Sequence, residues 1–327
     1  MKPAIMRRSG RTSTLLVRRE SHIPMSTAGS ILLILQAILP CVLYLPSTVP
    51  LCVTIEGGTN VSKSPSIEHA SQVLLPLLST KLGIHPIGVV VHKRGWSAGR
   101  SVVGSVTFEI TPLKKGNTLP AFQFIHRGYL EKVHISVIAP ADGSRQCIMT
   151  EAFKQLGDAM PGTELLLAVD EDSGHSQHIY LLLVAEMSSG FRLGRDCLYG
   201  RNASKALKIK SEHRARDEDR TMVHRVVAEL QRELAWEGCV DEYLEDQLVV
   251  FQALAHGTSE VNAGTGRPAS LHTKTAQWVA EQVLGIGFRG SKGAGVSFRV
   301  GGVSEERTET LEDDDIQRIA HLSVCKT

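Results

Sequence analysis

Two widely separated stretches set the hydrophobic pattern of this chain. Apolar residues fill the run "ILLILQAILPCVLYL" from Ile31 to Leu45, interrupted only by Gln36 and Pro40. The run is shorter than the ~20 residues a membrane-spanning helix needs. It predicts a buried core helix that breaks near Pro40 and passes into the strand "LCVTI". Far downstream, "KTAQWVAEQVLG" places Ala276, Val279, Ala280, Val283 and Leu284 at i, i+3, i+4, i+7 and i+8, one face of a helix. Gly285 is placed to close that helix, and His272 stands one residue ahead of it.

These stretches belong to two similar units. The first reads "AGSILLILQAILP", then "PLCVTIEGG", the polar loop "TNVSKSP" and the helix "SIEHASQVLLPLLSTKLGI". The second reads "DEYLEDQLVVFQALAHG", then "SEVNAG", the loop "TGRPASLHT" and the helix "KTAQWVAEQVLGIGF". Gln36 and Gln247 lie 211 positions apart, and Gln72 and Gln282 lie 210 apart. Equal spacing of two helices around a strand and a polar loop predicts two copies of one α-β-α unit. His272 falls opposite Val61–Ser62–Lys63, so only one of the two equivalent loops carries a histidine.

Between the units, "GVVVH" and "SVTFEITPL" flank "KRGWSAGRSVVG" and predict a long hairpin. Next come the strand "KVHISVIAP", the helix "CIMTEAFKQLGDAM", and "TELLLAV" with "HIYLLLVAE", read as strands paired around "DEDSGHSQ". This order suggests a small α+β module inserted between the repeats. The segment "LKIKSEHRARDEDRTMVHRVVAELQRELAW" turns from mixed charge to an amphipathic helix and reads as a solvated linker and entry helix.

The helix beginning at Asp241 buries Leu244, Leu248, Phe251 and Ala255 along one stripe. Tyr243, Asp246 and Gln247 share another face, where an aromatic, an acid and an amide could stack on and hydrogen-bond a nucleobase or ribose. A histidine at a helix N-terminus meets unpaired N–H groups and a positive dipole end, which favour a neutral imidazole beside an anion.

The charge balance adds little: 36 basic against 34 acidic residues, a net +2, gives no global attraction to nucleic acid, so any such binding needs a local patch. Six cysteines without a C-x-x-C pair fit a reducing compartment and argue against a disulfide frame or zinc site. Residues 1–25 carry Lys2, Arg7, Arg8, Arg11, Arg18 and Arg19 against Glu20, and read as a basic, disordered leader of transit-peptide composition. "GIGFRG" follows a helix, which is the wrong context for dinucleotide binding. His175 and His178 beside Asp170, Glu171 and Asp172 read as a polar hairpin tip, not a metal site.

Together the repeat, "EGGTNVSKSP", "VDEYLEDQLVVFQALAHG" and "LHTKT" resemble the RNA 3'-terminal phosphate cyclase family in its eukaryotic form. The resemblance runs from about Ser26 to Phe288, strongest over 26–85 and 239–288. It implies an α/β fold of repeated units around a pseudo-threefold axis, with a small inserted α/β domain. It further implies that His272, in "H-x-x-T" context, attacks ATP to form a histidine–AMP. AMP then passes to an RNA 3'-phosphate, which closes to a 2',3'-cyclic phosphate. Tyr243, Asp246 and Gln247 match the family's "Y-x-x-D-Q", while Gln36 and Pro65 match positions lining the same nucleotide pocket. A divalent metal, Mg or Mn, is expected with the triphosphate.

The resulting division is a leader at 1–25, a core repeat at 26–120, an insert and linker at 121–221, and a last repeat with tail at 222–327. The family's first repeat is expected to be missing, and its basic triple-glycine hairpin is altered here to "KRGWSAGRSVVG". The resemblance implies an RNA-processing enzyme acting on RNA 3'-phosphate ends in the nucleus or cytoplasm, with no membrane attachment; the Arg-rich leader leaves mitochondrial import open. The alternatives are a non-catalytic cyclase-like protein that binds RNA or preribosomes, or an inactive truncated gene model.

Overall fold

The computed structural model describes residues 19–114, 116–200, 211–289 and 292–296. The first sheet is built from β1 (Arg19–Ile23), β2 (Leu51–Gly57), β3 (Gly88–Lys93) and β4 (Gly104–Ile110), in the order β1-β2-β4-β3. α1 (Ile31–Leu43) joins β1 to β2. α2 (Ile67–His69) runs through a π-helical turn, Ala70–Leu74, into α3 (Leu75–Lys81) and so to β3.

β1 lies within the stretch expected to be a disordered leader. It pairs in parallel with β2, Arg19 opposite Leu51 through Ile23 opposite Ile55. A basic composition does not prevent an edge strand whose backbone is satisfied by its neighbour. Residues 1–18 lie outside the described part.

α1 also departs from expectation, since it continues through Pro40 to Leu43. A proline removes an N–H from the helix interior and costs about 3 kcal/mol. Burial of Leu39, Val42 and Leu43 beyond that point offsets the loss, because each buried aliphatic side chain contributes about 1.5–3 kcal/mol.

The second sheet comprises β7 (Leu130–Ala139), β8 (Glu164–Asp172), β9 (His178–Met187) and β10 (Arg192–Gly200), ordered β10-β9-β7-β8. β5 (Leu119–Pro120) and β6 (Gln123–Phe124) precede it in the chain. α4 (Ser144–Ala159) carries the chain from β7 to a parallel β8, a βαβ crossover. β9 then returns antiparallel on the other side of β7. The expected β8–β9 pairing is therefore wrong: β7 stands between them. β9 is the most apolar strand of the sheet, and eight consecutive residues from His178 to Ala185 are buried, which makes it an interior strand.

α5 (Ser211–Ala235) is not a solvated linker. It packs along α4 and β10 and buries Met222, Val223, Val226, Val227 and Leu230. The inserted module thus extends to Ala235.

The third sheet holds β11 (Ala255–Val261), β12 (Phe288–Arg289) and β13 (Lys292–Val296), with α6 (Glu242–Leu254) before β11 and α7 (Leu271–Leu284) after it. β5 and β6 pair in parallel with β11, which pairs antiparallel with β13, and β13 with β12. Strand order and directions repeat those of β1-β2-β4-β3. The module between β6 and α6 consequently interrupts the second unit after its first strand. Two-residue strands carry no alternation, so this boundary was invisible in the sequence.

No described helix is long and apolar enough to cross a membrane. Gly285 ends α7 at φ 63°, its N–H donating to the Glu281 carbonyl at 3.0 Å. Among the described residues the apolar stripe of α7 is only partly covered, however. Val279 and Val283 are 45% and 74% exposed, and Thr273 is the only buried residue of the helix.

Candidate functional site

α6 is fixed at its start by an acid. Asp241 caps the helix: its Oδ1 accepts from the backbone N–H groups of Tyr243 and Leu244 at 3.0 and 2.9 Å. Its Oδ2 accepts from Gly194 N–H at 2.7 Å and meets His69 Nε2 at 3.0 Å. The His69–Asp241 pair is almost wholly buried, at 1% and 0% side-chain exposure. Burial alone would lower the His69 pKa, but the charge and hydrogen bond of Asp241 outweigh it and hold the imidazole above its ordinary value. Burial likewise opposes ionisation of Asp241, and His69 overcomes it, holding the carboxyl below its usual range.

Glycine is required at 194 for this contact. A Cβ there would stand 2.7 Å from His69 Cδ2.

The second sheet supplies the remaining clamps. Ser66 Oγ and the Tyr180 hydroxyl are 2.5 Å apart, and Tyr180 donates to Asp196 Oδ2 at 2.9 Å. The Tyr243 hydroxyl donates to Asp196 Oδ1 at 3.3 Å, while the Arg195 guanidinium lies over its ring. Burial, then the neighbouring Asp196 charge, push the Tyr243 phenol well up. Arg195 pairs with Glu233 and with Glu242. Arg267 bridges Glu233 and Glu245 at 2.6 and 3.0 Å, tying the loop before α7 to α5 and α6.

On the far side of α6 a cavity of about 290 Å³ opens between α1, α6 and α7. Gln36, Asp246 and Gln247 line it, with Leu39, Leu74, Val250, Phe251 and Ala276 among its apolar walls. Its volume sits at the low end of the ~300–1,000 Å³ of small-molecule sites, enough for a base-sized group. The Gln247 amide nitrogen donates to the Tyr243 carbonyl, and its Oε1 is buried without a partner among the described residues. Gln36 Nε2 is likewise buried without a partner among the described residues. A buried polar group left unmade costs about 1–3 kcal/mol, and both residues that carry such an atom lie on the wall of this cavity. Burial raises the Asp246 pKa, and the His272 charge opposes that rise.

His272 is exposed in the first turn of α7, inside the helix and not ahead of it. Ser270 is the N-cap, its Oγ accepting from Thr273 N–H at 3.0 Å. Ala276, one turn further along the same face, lines the cavity. The histidine therefore stands at the cavity's edge beside a helix N-terminus.

Of the residues singled out from sequence, Gln36, Asp246 and Gln247 meet in the cavity and His272 borders it. Tyr243 turns away from it, into the buried Asp196 network. Pro65 is half-buried beside Ser66 and is not on the cavity wall. Sequence reasoning missed His69, Asp196, Arg195 and Arg267; only Asp241 carried a local signal, as an acid opening a helix.

The sequence profile of the RNA 3'-terminal phosphate cyclase family matches residues 12–289. The chain belongs to this family. The match opens ahead of Ser26, in keeping with β1 as part of the first sheet. A probable RNA 3'-terminal phosphate cyclase of Dictyostelium discoideum is 26% identical over 269 residues, covering 80% of this chain and 56% of that protein. The chain thus spans little more than half of that relative. RNA 3'-terminal phosphate cyclases of Pyrococcus abyssi and Pyrococcus furiosus are each 28% identical, covering 84% of this chain and 71% and 72% of their own lengths.

Proposed function

We propose that this chain catalyses ATP-dependent closure of RNA 3'-phosphate ends to 2',3'-cyclic phosphates, with His272 as the nucleophile. The observation that carries this reading is the cavity lined by the amide residues Gln36 and Gln247 and by Asp246, with His272 one helical turn from Ala276 on its wall. A heterocycle edge with adjacent donor and acceptor atoms suits those amides. The apolar walls suit the faces of the same ring, and Asp246 is placed to accept from a ribose hydroxyl.

In this reading the neutral imidazole of His272 attacks the α-phosphorus of ATP. An N–P bond forms, and the bond to the bridging oxygen breaks as pyrophosphate leaves with the electron pair. An oxygen of the RNA 3'-phosphate then takes the adenylyl group, returning the imidazole. Finally the neighbouring 2'-oxygen, losing its proton, attacks the 3'-phosphorus and AMP departs. Unpaired N–H groups at the start of α7 favour the phosphate anion. Among the described residues no group of three or more His, Cys, Asp or Glu could hold a metal. A divalent ion bound with the triphosphate would neutralise its charge.

ATP affinity tests the cavity. Gln247→Leu and Gln36→Leu are each expected to raise the Kd for ATP about tenfold by calorimetric titration, the loss of one well-made hydrogen bond. Wild-type protein that is folded yet takes up no ATP would favour the non-catalytic, RNA-binding reading instead.

A further inference from the structure

A second cavity, of about 390 Å³, lies where the loop between β3 and β4 meets the turn between β8 and β9. Its lining includes Lys93, Arg94, Arg100, His175 and His178, and no Asp or Glu. The floor is Trp96, buried and stacked on His178 with ring centroids 4.6 Å apart and planes 6° from parallel.

The walls are cross-linked, so the cavity is preformed. Arg94 donates to both carboxylate oxygens of Glu171, at 2.9 and 2.6 Å, and also to Glu68. His178 Nε2 meets the Arg100 carbonyl at 2.6 Å. The Gln177 N–H donates to His175 Nδ1 at 3.2 Å, which leaves the His175 proton on Nε2, a free donor direction. Arg94 is neutralised by its two acids. Asp172, the next acid along, accepts from Gly174 N–H and is not on the lining. Lys93 and Arg100 are exposed and have no carboxylate partner among the described residues.

We propose that this cavity binds a phosphate of the single-stranded RNA backbone, held by Lys93, Arg100 and the His175 Nε2–H. A compact cationic recess with fixed walls and no lining acid selects an anion, and the near-neutral chain needs such a local patch if it is to bind a polynucleotide. Glu68, which holds Arg94, lies two residues from Ser66, where a hydrogen-bonded chain begins that runs through Tyr180 and Asp196 to Tyr243 on α6, the helix that also carries Asp246 and Gln247. The proposal rests on the RNA-end reading only for the owner of the phosphate.

Fluorescence anisotropy with a 3'-phosphorylated RNA of about ten nucleotides tests it. Lys93→Ala/Arg100→Ala is expected to raise Kd roughly tenfold at low salt. It should also flatten the slope of log K against log salt by about 0.7 for each phosphate that is no longer neutralised. Arg100→Lys should keep most of the affinity. Lys132→Ala/Arg220→Ala, which removes equal charge elsewhere, should stay within about twofold of wild type. Wild-type affinity and slope in the Lys93/Arg100 variant overturn the proposal, as does a wild type that binds no RNA at low salt. Inorganic phosphate that shifts the His175 ring resonances, with RNA affinity unchanged in the double variant, makes the cavity a small-anion site and also overturns it. ATP titration of the Gln36 and Gln247 variants judges the nucleotide reading separately.

Discussion

Asp241→Asn is expected to destabilise the protein by about 3–5 kcal/mol, the cost of breaking a buried ion pair by removing one partner. Asparagine keeps the oxygen that caps α6 but turns an NH₂ toward the Gly194 N–H and His69, where the carboxylate accepted both. Donor then faces donor at 2.7 Å. The thermal midpoint should fall by roughly 10 °C.

The loss should depend on pH with a definite sign. The His69 pKa is raised, so its contribution is complete below about pH 6.5 and fades as pH climbs through the folded value. The Asp241 pKa is lowered, so its share is complete above about pH 3.9 and is lost only as pH falls through the folded value. The gap between wild type and variant should therefore be widest near pH 5–6 and should narrow as pH rises through the folded His69 value. A change below about 1 kcal/mol, or a gap that widens with pH, would contradict the ion pair.

His272→Ala is expected to reduce covalent labelling by α-labelled ATP on the order of 10³-fold or more, since removal of a nucleophile leaves only binding behind. Its fold should be little changed, because His272 is exposed and the Ser270 cap is independent of its side chain. His85→Ala, another histidine outside the buried core, should label as wild type does. Retained ATP affinity with lost labelling would separate the nucleophile from the pocket.

Much of this architecture is legible along the chain, because local signals and tertiary packing agree there. The glycine that ends α7, the β3–β4 hairpin and the repeated unit follow from periodicity and turn chemistry. Gln36 and Gln247, which the family resemblance assigns to one nucleotide pocket, both line one cavity. Failures occur where long-range packing decides. Tyr243 sits three residues before Asp246 on a helix, yet Asp196, contributed by the inserted module, draws its hydroxyl inward. His69 reads as an ordinary helical histidine until Asp241, 172 positions away, is placed beside it. The stripe on α7 has the period of a core face, but period cannot say whether a neighbour is there to cover it.

The most direct measurement is peptide mapping of the labelled protein. Wild type is incubated with ATP and a divalent ion, digested at alkaline pH and analysed by mass spectrometry for adenylylated peptides. The account predicts one acid-labile adenylyl group, on the peptide containing His272. An adenylyl group on a lysine or another histidine, or folded protein that binds ATP and carries none, would contradict it.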